Sequence, residues 1–123
     1  MPMTVAPFEI RIPDSAIEDL YRRIDQTRWP SALEGSAWDY GTNLQYLKEL
    51  VHYWRHEFDW RKQEEYLNTF HHFQAEVEED ASVHFIHEKG MGPQPLPLII
   101  THGWPSSFYD MVKIIPMLTH PTS

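Results

Sequence analysis

Apolar and polar residues alternate with two different periods along this chain, and the change of period divides it. Phe8, Ile10 and Ile12 alternate with Glu9 and Arg11, so residues 1–12 are expected to be an extended, half-buried strand or arm. Pro13-Asp14-Ser15 punctuates; Asp14 or Ser15 can cap a helix, and Ser15 with Glu18 fits a capping box. Ile17, Leu20, Tyr21 and Ile24 then share one helical face, which is expected to end at Trp29-Pro30 because proline disfavours a helical residue before it. Residues 30–42 read as a loop pinned by Trp38 and Tyr40. Asn43 can cap a second helix, in which Leu44, Leu47, Val51, Trp54 and Phe58 step by three or four. Asp59 can cap a third, with Trp60, Leu67 and Phe70 inward.

The period then falls to two. Phe73, Ala75 and Val77 alternate with polar residues, as do Val83, Phe85 and His87, so 72–88 reads as a β-hairpin turning at Glu79-Asp80-Ala81-Ser82. Gly90 to Pro97 is a loop, Leu98–Thr101 a short buried strand, and Ser107–Ile115 a helix ending at Pro116. A helical, Trp-rich stretch of about 70 residues thus precedes the opening strands of a sheet, the order expected at the start of an α/β domain. A compact α+β domain that closes on itself is the competing architecture.

Composition narrows the function classes. The 123 residues carry 17 aromatics and a formal charge of −8, which disfavours nucleic acid and anionic membrane surfaces as partners. There is no cysteine, so disulfide and thiolate chemistry are excluded. No run approaches the roughly 18 apolar residues of a membrane-spanning helix, and the N-terminus lacks the build of a signal peptide. A cytoplasmic location is the default expectation.

The chemistry is concentrated in His102-Gly103-Trp104-Pro105-Ser106-Ser107, between the apolar run and the last helix. A strand, a sharp glycine-proline corner and a helix start are the parts of an oxyanion-binding turn. Backbone N–H groups fixed beside a developing negative charge stabilise it, each by roughly 3 kcal/mol. Gly103 allows dihedrals and close approach denied to other residues. Pro105 fixes φ, and the Trp104-Pro105 bond is a candidate cis peptide. Ser106 or Ser107 can cap the helix, and Ser107 with Asp110 fits a capping pattern. A plain strand–turn–helix connection is the bland alternative.

Other clusters carry less. His52 and His56 share a helical face, but the zincin pattern needs Glu after the first His and Tyr53 stands there. His71-His72 and His84/His87 form a second cluster, yet 84 and 87 point to opposite faces of a strand, so a structural role is expected and no metal or cofactor. Asp14, Asp19, Asp25 and Asp59 are expected to cap helices or face solvent, and Glu76, Glu78, Glu79 and Asp80 to be solvated. Arg28-Trp29 and Trp60-Arg61 suggest ligand stacking.

The six-residue turn resembles the microsomal-type epoxide hydrolases of the α/β-hydrolase superfamily, whose oxyanion motif reads His-Gly-Trp-Pro-Gly-Ser. The likeness extends through Pro7-Phe8 with Ile10 and Pro13-Asp14, Thr27-Arg28-Trp29-Pro30, and Tyr46-Leu47 to Tyr53-Trp54. It continues in Phe58-Asp59-Trp60-Arg61, Leu67-Asn68 with Phe70, His84-Phe85-Ile86-His87 and Pro97-Leu98-Ile99. Ser106 departs from the family's Gly and would carry a strain cost if that position required positive φ.

The resemblance implies an α/β fold: a helical N-terminal meander, then the first strands and oxyanion turn of an incomplete α/β-hydrolase domain. The division is expected at 1–71 and 72–123. The resemblance also implies that Arg28-Trp29 and Trp60-Arg61 dock the N-terminal meander on a catalytic body instead of stacking on a ligand. It implies opening of an epoxide by a nucleophilic Asp, assisted by two Tyr hydroxyls, and hydrolysis of the ester by a His paired with an acid. The Trp104 N–H would be one oxyanion donor, in a turn formed with His102, Gly103, Pro105 and Ser106. The superfamily's Gly-x-nucleophile-x-Gly elbow is missing, because glycines stand only at 35, 41, 90, 92 and 103. The chain alone is therefore expected to be inactive, with a small-molecule epoxide as partner only once a catalytic domain completes it. A non-catalytic module that self-associates or binds a completing partner through an exposed sheet edge is the alternative.

Overall fold

A computed structural model describes residues 4–78 and 81–121. Its elements are β1 (Thr4–Pro7), α1 (Asp14–Asp25), α2 (Leu44–His56), α3 (Trp60–Leu67), β2 (His72–Glu78), β3 (Ala81–Ile86), a 3₁₀ turn (Phe108–Met111) and α4 (Ile115–Thr119). The chain divides into two compact units, Arg11–Glu65 and the flanking segments up to Ile10 and from Tyr66 onward.

In the helical unit, α1 and α2 arise where the 3.6-residue pattern places them. Asn43 caps α2 by accepting the Tyr46 N–H at 3.0 Å. Asp59 accepts the Lys62 N–H at 3.3 Å and so opens α3. The expected cap of α1 is not made. Pro13 holds the N-cap position without a side-chain bond, and Asp14 lies within the first turn, where its carboxylate is taken by Arg61. Nor does α1 run to Trp29-Pro30. It stops at Asp25, where the Gln26 and Thr27 amides close back on Arg22 and Ile24. Between the helices, Arg55 makes two bonds to Asp25, at 2.9 and 3.1 Å, and lies 4.6 Å from the Tyr21 ring centroid. Those bonds hold the Asp25 carboxyl below its ordinary pKa. In the following loop, Trp38 rests on Tyr46 at 5.2 Å, whereas Tyr40 is 83% exposed and pins nothing.

The arm entering this unit is fixed by a carboxylate. Glu64 accepts the Ile12 N–H at 2.7 Å, the Trp60 indole N–H at 3.2 Å and Arg61 Nη1 at 2.6 Å, while Arg61 also donates to the Ile12 carbonyl at 2.9 Å. Trp60-Arg61 thus anchors the arm of its own unit. The Ile12 amide, then the arginine and indole, keep the Glu64 carboxyl below its ordinary pKa.

The second unit is built on an antiparallel sheet in the order β1-β2-β3. Among the described residues, the arm expected over 1–12 forms a strand at Thr4–Pro7, with Thr4 opposite Glu76 and Pro7 opposite Phe73, and the Phe8 N–H still donates to the His72 carbonyl at 2.9 Å. Beyond it, the Asn68 side chain takes the place of a strand neighbour, accepting the Ile10 N–H at 2.9 Å and donating to the Ile10 carbonyl at 2.8 Å. The expected hairpin forms in register, Phe73 opposite Phe85 and Ala75 opposite Val83, with the Phe73 and Phe85 rings stacked at 5.6 Å. Ala81 and Ser82 belong to β3 rather than to the turn; Glu79 and Asp80 lie outside the described residues.

Two expectations near the C-terminus fail. Leu98–Thr101 is not a strand, and Ile99 is 89% exposed. An apolar run becomes a buried strand only against ladder partners, and no described residue supplies one. The helix expected over Ser107–Ile115 is a 3₁₀ turn followed by α4, and Pro116 lies in the first turn of α4 instead of ending a helix. A first-turn proline is tolerated because its missing N–H would have no intrahelical acceptor.

Burial is slight. Among the described residues, the hydrophobic side chains nearly closed to solvent are Leu67, Ala75 and Val112. The chain exposes 10810 Å². Even two separate globules of half its mass would together expose only about 8300 Å².

Candidate functional site

The oxyanion-type turn forms as a four-residue reversal. The Ser106 N–H donates to the Gly103 carbonyl at 2.9 Å, and the Trp104-Pro105 peptide between them is cis, the arrangement of a type VI turn. Gly103 occupies the first corner, not a central position. It does not take positive φ, and a Cβ there would meet nothing within 4 Å. The dihedral freedom expected of Gly103 is therefore not used. Ser106 is not strained either, since among the described residues the non-glycine with positive φ is Ala37.

Side chains then fasten the turn to the 3₁₀ segment beyond it. The Ser106 hydroxyl donates to the Asp110 carboxylate, and Ser107 caps the 3₁₀ turn by accepting the Tyr109 N–H at 3.3 Å. The imidazole of His102 bonds locally, Nδ1 lying 3.0 Å from the Gly103 carbonyl. The Trp104 ring is 95% exposed, and among the described residues its backbone N–H has no acceptor. A free amide held at a rigid corner can bind a carbonyl oxygen or an oxyanion.

The histidine cluster rearranges the expected pairing. His72, only 4% exposed, and His84 meet across β2 and β3, with His72 Nδ1 2.9 Å from His84 Nε2. His72 Nε2 lies 2.7 Å from the Leu67 carbonyl. His71 turns to Glu88, which accepts its amide at 2.7 Å. His71 immediately precedes β2 and His72 opens it, so their side chains diverge; spacing does not reveal the buried pairing of His72 with His84. His52 and His56 bring their rings to 4.5 Å on α2, but among the described residues no group of three potential ligands could hold a metal ion. Glu64 was also missed, because an anchoring carboxylate and a solvated one look alike on an amphipathic helix.

In the helical unit, Ile12, Ile17, Leu20, Tyr21, Trp54 and Phe58 line an open, almost wholly apolar cleft of about 390 Å³. No described helix is long and apolar enough to cross a membrane.

Comparison with known proteins identifies the family. The family described as "Epoxide hydrolase N terminus" matches residues 5–111. The chain is 47% identical to epoxide hydrolase 1 of Oryctolagus cuniculus over 98% of its own length and 27% of that protein's. It is 37% identical to juvenile hormone epoxide hydrolase 1 of Ctenocephalides felis over 97% of this chain and 26% of the other. Its fold superposes on the crystal structure of juvenile hormone epoxide hydrolase from the silkworm Bombyx mori with a TM-score of 0.82 at 28% identity, covering 98% of this chain and 33% of that one. Aspergillus niger epoxide hydrolase gives the same score and identity over 93% of this chain and 30% of its own. The chain thus spans roughly a quarter of the length of the curated relatives it matches. A family model that matches most of its length establishes that this chain belongs to the epoxide hydrolase family.

Proposed function

We propose that this chain is the N-terminal part of an enzyme that hydrolyses epoxides to vicinal diols, and that it supplies one backbone donor to the reaction. The observation that carries the reading is the Trp104 N–H, which has no acceptor among the described residues and stands in the turn closed by the Ser106 amide, within a chain of this family. Residues 1–71 then form the N-terminal helical region and residues 72–123 the start of the hydrolase domain.

In this reading a carboxylate oxygen attacks one epoxide carbon. The C–O bond breaks, and two tyrosine hydroxyls stabilise the ring oxygen as it accepts a proton, leaving a hydroxy ester. A histidine takes a proton from water as that water attacks the ester carbonyl. The carbonyl oxygen becomes an oxyanion, which the Trp104 N–H and a second amide stabilise, each by roughly 3 kcal/mol. Collapse expels the diol and restores the carboxylate, and the proton held by the histidine returns to the tyrosine that gave one to the ring oxygen. No elbow for the carboxylate occurs between residues 1 and 123, so residues 1–123 alone leave epoxides unturned. The apolar cleft of the helical unit is, on this reading, a seat for the remaining hydrolase chain.

The alternative, a non-catalytic module that self-associates or binds a partner, draws on the sheet. Its outer strands β1 and β3 are unpaired at their free edges among the described residues, and such edges recruit further strands.

One assay separates these. Residues 1–123 are incubated with an aromatic epoxide, alone and co-expressed with a family polypeptide carrying a Gly-x-Asp-x-Gly elbow. Diol formation only in the combined sample supports the proposal. Turnover by residues 1–123 alone, abolished by a substitution within them, refutes it. Stable homo-oligomers that ignore the added polypeptide favour the binding module.

A further inference from the structure

We infer that His72 and His84 form an uncharged imidazole pair that positions the oxyanion turn through Phe108, and that acid releases it. This rests on the reading of Trp104 as an oxyanion donor.

The protonation pattern is dictated by the acceptors present. A carbonyl can only accept, so His72 Nε2, 2.7 Å from the Leu67 oxygen, carries a proton. In neutral His72 the Nδ1 is then bare and accepts the His84 Nε2–H across 2.9 Å. The two rings lie 20° from coplanar. Phe8 closes one approach to His84, at 5.3 Å between centroids. Phe108 meets both imidazoles edge to face, 5.0 Å from His84 and 5.8 Å from His72.

Phe108 stands directly after the helix cap of the turn. From it the mechanical path is short: Phe108 fixes the 3₁₀ turn, Asp110 in that turn holds the Ser106 hydroxyl, and the Ser106 amide closes the reversal that presents Trp104. His72 and His84 touch no reacting atom in this scheme. They are positioning residues.

Acid acts on the pair at His84. A proton can enter at His84 Nδ1, but it places a charge in a half-buried site between two phenyl rings. The charged groups on the surrounding elements give no relief. Glu76 and Glu78 on β2 are exposed, Asp110 is engaged by Ser106, and Glu88 after β3 is turned to His71. No described carboxylate bonds either ring. Burial, then the neighbouring imidazole, accordingly lowers the His84 pKa. A His that binds protons more weakly when folded contributes stability at pH above its unfolded value and loses it as pH falls through the folded one.

The test is nuclear magnetic resonance on the full chain from pH 7.5 to 5, which needs no epoxide. Ring ¹⁵N shifts report the tautomers, contacts between His84 and Phe108 report the packing, and the Trp104 amide shift reports the turn. The expected result at pH 7.5 is an Nε2–H tautomer on both rings with Phe108 contacts present. Below pH 6.5 the contacts fade, and the Trp104 amide moves with the same midpoint. In His84→Gln, which keeps a donor but cannot take a proton, the Trp104 amide stays still over this range. Retention of the Phe108 contacts while His84 becomes charged overturns the inference. So does a Trp104 amide that ignores the His84 titration, or one that titrates unchanged in His84→Gln. Those failures leave the turnover assay untouched, so the two readings fail separately.

Discussion

Replacing Asn68 by Ala tests whether one side chain holds the N-terminal arm at Ile10, beyond the β1 ladder. Asn68 makes both amide hydrogen bonds to Ile10, at 2.9 and 2.8 Å. Alanine removes both and leaves the Ile10 N–H and carbonyl unpaired. Net bonds of this kind are worth about 1 kcal/mol each. Ile10 is partly exposed, so water recovers some of the loss. The expected destabilisation is therefore about 1–2 kcal/mol, or roughly 5- to 30-fold in the opening equilibrium. Hydrogen exchange at the Ile10 amide should quicken by that factor, and the urea midpoint should fall. Asn68→Asp separates the two bonds: its carboxylate still accepts the Ile10 N–H but faces the Ile10 carbonyl with a lone pair. Exchange at Ile10 should then stay slower than in the alanine variant although the denaturation midpoint still drops. Ile10 exchange within twofold of the parent in Asn68→Ala, with an unchanged midpoint, would refute the brace.

The same structure yields three further outcomes. Glu64 has its pKa depressed by the Ile12 amide first, then by Arg61 and Trp60, so its contribution is complete above the unfolded glutamate value of about 4.3 and disappears as pH falls through the lower folded one; exchange at the Ile12 amide should accelerate across that acid window, and the acceleration should be absent in Glu64→Gln. Leu67→Ala empties one of the few closed apolar sites and should cost about 2–4 kcal/mol by chemical denaturation; a cost below about 1 kcal/mol would mean that the site collapses freely. Arg55→Lys gives up the paired bonds to Asp25 and the stacking on Tyr21, and should lower the thermal midpoint further than Lys62→Ala, which removes only an exposed pair with Asp59.

The residues made legible what local spacing determines. The 3.6-residue step of Leu44, Leu47, Val51 and Trp54 produced α2, and Asn43 capped it as its side chain allows. Alternation about Phe73 and Phe85 set the hairpin register. His-Gly-Trp-Pro marked the turn because few sequences place glycine and proline around an indole at the end of an apolar run. The rest depends on distant partners. Leu98–Ile100 has a strand's composition, but a ladder partner decides its state and none is local. Thr4–Pro7 finds β2 some 70 residues away without any pattern of its own. Glu64 looks like a solvated acid, and Asp110 like the capping partner of Ser107, until Ile12 and Ser106 are brought to them. Ser106 looked like a backbone liability, and its hydroxyl instead supplies a tie.

The large exposed area has a calorimetric consequence. Relative to two ordinary globules, the native chain leaves about 2500 Å² more surface in water. If that surface has the usual balance of apolar and polar atoms, its hydration lowers the unfolding heat capacity by about 0.4 kcal/mol/K, near a fifth of the value expected for 123 residues. The stability curve of residues 1–123 should therefore be flatter than that of a compact protein of equal length, changing little on cooling and melting over a broad range.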